Sequence, residues 1–174
     1  MAKTAYLIDG MAYVFRAYYA MRAMSAPDGT PINAVFGLGM TLQKFLAEQQ
    51  PDPEPSCFDA CSHTVRTEMV PEYKANRGAP PEELVPQFDI CRELVEKMGI
   101  ACSTCPGYEA DDSMATLTRR LRNDGYEVVI VSGDKDLAQL LEPGVKMYNL
   151  AKDDWLDADR VPEKMGVRAD QILD

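Results

Sequence analysis

The chain has 174 residues, a formal charge of −10, 46% hydrophobic and 26% charged residues, which is the make-up of one globular domain large enough to bury a real core. The acidic balance argues against a broadly basic nucleic-acid surface but leaves room for a local acidic pocket that takes cations. No apolar run approaches the ~18–20 residues of a membrane span, and "MAKTAYLIDG" at the start lacks the apolar stretch of a signal peptide, so a cytoplasmic location is expected.

"TAYLID" reads as a short buried strand ending in turn chemistry at Asp9-Gly10. "MAYVFRAYYAM" and "NAVFGLGMTLQKFLAEQQ" follow with helical spacing. A Pro-rich link, "PDPEPS", leads to a short run ending in "CFDA". Residues 61–83 mix basic, aromatic and Pro/Gly residues without a clean period, the pattern of a long excursion of the kind that carries function. "ELVPQFDICRELVEKMGI" is an amphipathic helix closed by Gly99. "ACSTC" is a short strand, a helix begins near Glu109, "YEVVIV" is a β-branched strand, and a short helix follows Asp134. "GVKMYNL" is a further strand, and the tail from Asp157 reads as one or two short helices.

Strands alternating with helices predict an α/β fold with a mostly parallel central sheet and helices on both faces. Right-handed crossovers bring successive strand ends to one edge, outside which such sheets bind ligands. Asp9 and Asp59 end the first two strands; Glu109, Asp111 and Asp112 open the helix after the third; Asp134 and Asp136 follow the fourth. Acids at a helix start are favourable by themselves, because the unpaired N–H groups and the dipole attract negative charge. That accounts for the group at 109–112 but not for Asp9 and Asp59, which leave apolar strands.

Carboxylates held close protonate unless a cation sits among them. Hard ions such as Mg²⁺ and Mn²⁺ prefer oxygen ligands, and two of them roughly 3.5–4 Å apart are a standard arrangement for phosphodiester hydrolysis. Solvated loop acids are the competing reading. The five cysteines, an odd number, read as reduced thiols in the core rather than as a zinc site. His63, the single histidine, reads as a solvated loop residue, so a serine-type triad or a His-rich metal site is a poor candidate.

"LIDGMAYVFRAYYA", "CFDACSHTVRTEMVPEYKANR", "PGYEADDSMATL" and "VSGDKDLAQLL", in this order, resemble the 5′-nuclease (flap endonuclease) family, in particular the bacterial 5′–3′ exonuclease domains. The resemblance runs from about Tyr6 to Asp174. It implies a PIN-like, resolvase-like core over 1–174 and a two-ion Mg²⁺ site, with Mn²⁺ as a substitute, held by Asp9, Asp59, Glu109, Asp111, Asp112, Asp134 and Asp136. It further implies a helical arch over 61–83, with Lys74 and Arg77 stabilising charge on the cleaved phosphate as catalytic residues. Three residues apart, these two would share a helical face. Arg16 matches a basic position on the family's first helix and would hold a phosphate, a surface ion pair being the alternative. Tyr19 and Tyr73 would stack on an unpaired base, or else pack in the core or at its rim. Arg66 would touch the substrate strand or simply be surface charge.

In this family the chain continues past "QILD" into a "GDxSDN" segment and a helix-turn-helix-type DNA-binding module; both are absent from this sequence. The expected function is divalent-metal-dependent 5′–3′ exonuclease or flap endonuclease action on DNA, or RNA–DNA, near 5′ ends, weak in this chain alone. The alternatives are a non-catalytic metal- and nucleic-acid-binding domain completed by another segment, and a PIN-type ribonuclease.

Overall fold

A computed structural model describes residues 3–51, 56–59, 79–103 and 107–172. The elements run β1 (Thr4–Ile8), α1 (Gly10–Ala20), α2 (Asn33–Gln49), β2 (Ser56–Asp59), α3 (Val85–Lys97), β3 (Ala101–Ser103), α4 (Ala110–Asn123), β4 (Glu127–Val131), β5 (Val145–Asn149), β6 (Asp154–Leu156) and α5 (Val161–Met165). Short 3₁₀ turns at Asp136–Leu140, Ala158–Arg160 and Ala169–Gln171 complete the chain.

The sheet order is β3-β2-β1-β4-β5-β6. All pairings are parallel except β5 with β6, which is antiparallel. The two central strands, β1 and β4, read as unbroken apolar runs because both sheet faces are covered. Tyr6, Ile8, Val129 and Val131 pack with Val14, Leu38, Phe45 and Val95 beneath α1, α2 and α3. Their neighbours Ala5, Leu7, Val128 and Ile130 point the other way, onto Met114 and Leu121 of α4 and onto Leu137, Leu141 and Val161.

The chain moves outward from β1 to β2 to β3, then returns to place β4 on the other side of β1. Strand order therefore reverses between β1 and β4, and the crevice at such a reversal is where open α/β sheets bind ligands.

Among the described residues the expected elements are present, Gly99 included: it follows α3 with φ +82°, the left-handed conformation that ends helices. The short helix after Asp134 is a 3₁₀ turn. The edge strand β6 was not foreseen in the sequence. It has three residues, and its side chains meet no regular polar–apolar alternation long enough to read.

One buried polar contact fixes the helical layer. Ile32, before α2, offers no side-chain cap. Gln87 of α3 supplies one instead: its Oε1 accepts from the backbone N–H of Ala34 at 2.8 Å, and its Nε2 donates to Asn33 Oδ1 at 2.9 Å. Asn33 in turn donates to the Tyr18 carbonyl at 3.0 Å. The end of α1, the start of α2 and the body of α3 are thus tied through one fully buried amide.

Candidate active site

Asp9 directly follows β1 and caps α1, accepting from the Ala12 N–H at 3.2 Å. Its other oxygen accepts from the Ser132 hydroxyl at 2.7 Å. Ser132 directly follows β4, so this bond spans the sheet's reversal point. The Ser132 oxygen also accepts from the Asp134 N–H at 3.0 Å, and Asp134 Oδ1 accepts from the Asp136 N–H at 3.0 Å. A relay of short polar contacts therefore links Asp9, Ser132, Asp134 and Asp136. Asp9 is buried, while Asp134 and Asp136 are exposed.

The second acidic group opens α4. Glu109 is the N-cap, its side chain taking the Asp112 N–H while Asp112 Oδ2 accepts from the Glu109 N–H at 3.2 Å. Both Asp111 and Asp112 lie in the first turn, where the helix dipole favours them. Glu109 is buried, and Asp111 and Asp112 are half-buried. Asp59 closes β2 at the same edge of the sheet.

These acids share one edge of the sheet. Among the described residues, no three of His, Cys, Asp and Glu come close enough to hold a metal. The donor set suits a hard divalent ion: it consists of carboxylate oxygens from strand ends and from the start of α4, with Asp9 and Glu109 buried.

Tyr13 stands beside Asp9 on α1. Its phenol oxygen accepts from the Leu150 N–H at 3.3 Å, joining α1 to the end of β5. Burial pushes its pKa up to about 12; the Leu150 hydrogen bond opposes that shift and the Asp9 charge adds to it.

Arg16 is exposed on α1 and has no ion-pair partner among the described residues, contrary to the surface-pair reading. Tyr19 is 71% exposed, so it is not a core residue; its ring meets Tyr18 edge-on at 5.1 Å. Cys91 is buried in the core as expected. His63, Arg66, Tyr73, Lys74 and Arg77, with most of the segment 61–83 for which an arch is expected, lie outside the described residues.

Sequence reasoning missed Ser132, which holds two of the acidic positions in place. Serine in "VSGD" carries no local signal of that role; only the pairing of β1 with β4 reveals it.

The geometry defines a class: a largely parallel α/β domain with carboxylates gathered at the strand-reversal edge. The 5′–3′ exonuclease N-terminal, resolvase-like domain matches residues 4–166, and the chain belongs to that family. It is 40% identical to a DNA polymerase I of Rhizobium leguminosarum over 97% of this chain and 17% of the polymerase. It is 40% identical to a 5′–3′ exonuclease of Bacillus subtilis over 84% of this chain and 50% of that protein. The chain thus spans half or less of these two relatives. Among solved structures, a T5 5′-exonuclease with zinc ions bound superposes with TM-score 0.72 at 22% identity, over 97% of this chain and 64% of the other. A T5 flap endonuclease in complex with DNA and metal ions superposes with TM-score 0.69 at 22% identity, over 95% and 61%.

Proposed function

We propose that this chain is the catalytic core of a divalent-metal-dependent 5′–3′ exonuclease and flap endonuclease that hydrolyses DNA, or RNA–DNA, phosphodiester bonds near 5′ ends in the cytoplasm. The observation that carries the reading is the buried Asp9 carboxylate, tied by Ser132 to Asp134 at the sheet's reversal point. Support comes from relatives named as 5′–3′ exonucleases and from T5 structures that hold metal ions and DNA.

Asp9, Asp59, Glu109, Asp111 and Asp112 would hold one Mg²⁺ or Mn²⁺ ion, and Asp134 and Asp136 would contribute to a second. Such ions supply a hydroxide nucleophile and stabilise the attacking and leaving oxygens. The chain's own residues do the rest. The capping bonds at Asp9 and Glu109 fix carboxylate orientation before any ion arrives. Lys74 and Arg77 stabilise charge that develops on the scissile phosphate. Arg16 and Arg66 hold the strand by its phosphates, and the exposed ring of Tyr19, with Tyr73, offers a stacking face for an unpaired base.

The deciding assay compares a 5′-flap DNA with a single-stranded RNA, in Mn²⁺, in Mg²⁺ and in EDTA. Metal-dependent flap cleavage that is lost in Asp111→Asn/Asp112→Asn is the expected result. Cleavage of the RNA alone would instead indicate a PIN-type ribonuclease. Metal binding without turnover of either substrate would indicate a non-catalytic domain.

A further inference from the structure

Two clefts open on the β5 side of the acidic edge, and the reading above uses only part of them. One, of about 210 Å³, is lined by Tyr13, Arg16, Asp134 and Asn149 among others. The other, of about 430 Å³, is lined by Lys135, Asp136, Lys152 and Asn149, with Met147 and Leu156 as apolar lining. Gly133 and Asn149 line both, so the two clefts adjoin at these residues.

That junction is specifically built. A Cβ on Gly133 would lie 3.3 Å from Asn149 Nδ2, so the bare glycine lets the amide lie close against the backbone after β4. Asn149 Oδ1 accepts from the N–H groups of Ala151 at 3.1 Å and Lys152 at 3.3 Å, which fixes the turn that carries Lys152. Its Nδ2 hydrogens find no acceptor among the described residues. Lys135 and Lys152 are exposed and make no ion pair among the described residues, whereas Lys164 in the same cleft is paired with Asp154. In a chain of charge −10, this places lysines without an ion-pair partner among the described residues, and spare amide hydrogens, directly beside the acidic edge.

We propose that Arg16, Asn149, Lys152 and Lys135 form one track that binds the phosphodiester backbone of the substrate strand on the β5 side of the acidic edge. The track rests on the nuclease reading and extends it by assigning the strand's path. Its chemistry is that of phosphate recognition: point charges from lysine, a guanidinium fork and neutral N–H donors between them. Binding of this type releases counterions, so it carries a salt dependence that scales with the number of phosphates held.

The test uses a fluorescein-labelled 5′-flap DNA and the complete chain in Ca²⁺, with the dissociation constant followed by anisotropy across a salt series. Lys135→Gln/Lys152→Gln is expected to weaken binding about tenfold and to flatten the log–log salt slope by about 1.5, as two lost phosphate contacts require. Asn149→Ala should weaken binding about threefold, roughly the loss of one neutral hydrogen bond. Lys135→Arg/Lys152→Arg should keep both affinity and slope. Lys44→Gln/Lys97→Gln makes the same charge change at helix-surface pairs with Glu48 and Glu93 and should alter neither. If the glutamine pair at 135 and 152 keeps the wild-type affinity and slope while the wild type still cleaves the flap, the track is wrong and the nuclease reading stands. If the wild type neither binds nor cleaves flap DNA, both fail together.

Discussion

The two halves of the acidic edge are held by different kinds of bond. At Asp9 the carboxylate reaches Ser132, 123 positions away in sequence, and so ties β1 to β4. At Glu109 and Asp112 the reciprocal bonds stay within three positions of one helix start. The first is a tertiary tie that forms only when the sheet is assembled. The second is a local cap available to α4 whenever it is helical. The lesson is that carboxylates on one edge differ in what they do for the fold: Asp9 bridges two strands, while Glu109 and Asp112 cap the start of one helix.

Asp9→Ala should show the largest effect. It removes a helix cap and leaves the Ser132 hydroxyl without its buried partner, for a loss of about 2–3 kcal/mol in chemical denaturation. It should also abolish metal-dependent cleavage. A variant as stable as the wild type would break the contrast.

Ser132→Ala comes next. It deletes the hydroxyl shared by Asp9 and the Asp134 N–H, at about 1–2 kcal/mol. Because it orients carboxylates without itself belonging to the expected ligand set, activity should fall roughly 10–100-fold. Unchanged cleavage rates would show that Asp9 needs no such positioning.

Asp112→Asn sharpens the other side. Asparagine keeps an oxygen to accept from the Glu109 N–H, so stability should change by less than about 1 kcal/mol while cleavage is lost. A large drop in melting temperature would place the α4 acids in the same class as Asp9.

The smallest effect is at Tyr13, beside Asp9. Burial raises its phenol from an ordinary 10.0 to about 12. In the unfolded chain the phenol ionises first, so its contribution to stability is intact below pH 10 and is lost as pH rises toward 12. Tyr13→Phe should cost about 1 kcal/mol at neutral pH through the lost Leu150 bond. It should also flatten the decline between pH 10 and 12 in urea melts. An unaltered alkaline profile would contradict the burial of that hydroxyl.

Much of this was legible in the sequence, for physical reasons. β1 and β4 are apolar runs because both faces are covered, and the acids that follow them, Asp9 at once and Asp134 after Ser132 and Gly133, stand out against that background. Glu109 and Asp112 carry a capping pattern at the right spacing. What sequence did not show depends on partners far away. Ser132 acquires its role from Asp9 only through β1–β4 pairing. Gln87 sits on the apolar stripe of α3 with Leu84, Cys91 and Val95, all buried. A polar residue on that stripe was the available signal, but its target, the uncapped start of α2, lies more than fifty positions away. β6 is three residues with one aromatic, the half-buried Trp155, which stacks on Tyr148 at 4.5 Å, a contact no local pattern announces.

The central claim is that the acidic edge holds divalent cations, and calorimetric titration of Mn²⁺ into the apo chain tests it most directly. The account predicts saturable binding that Asp9→Asn and Asp112→Asn each weaken by at least about tenfold, with Glu142→Gln, an exposed acid away from the edge, binding as the wild type does. Equal affinity in all four proteins, or no binding to the wild type, would contradict it.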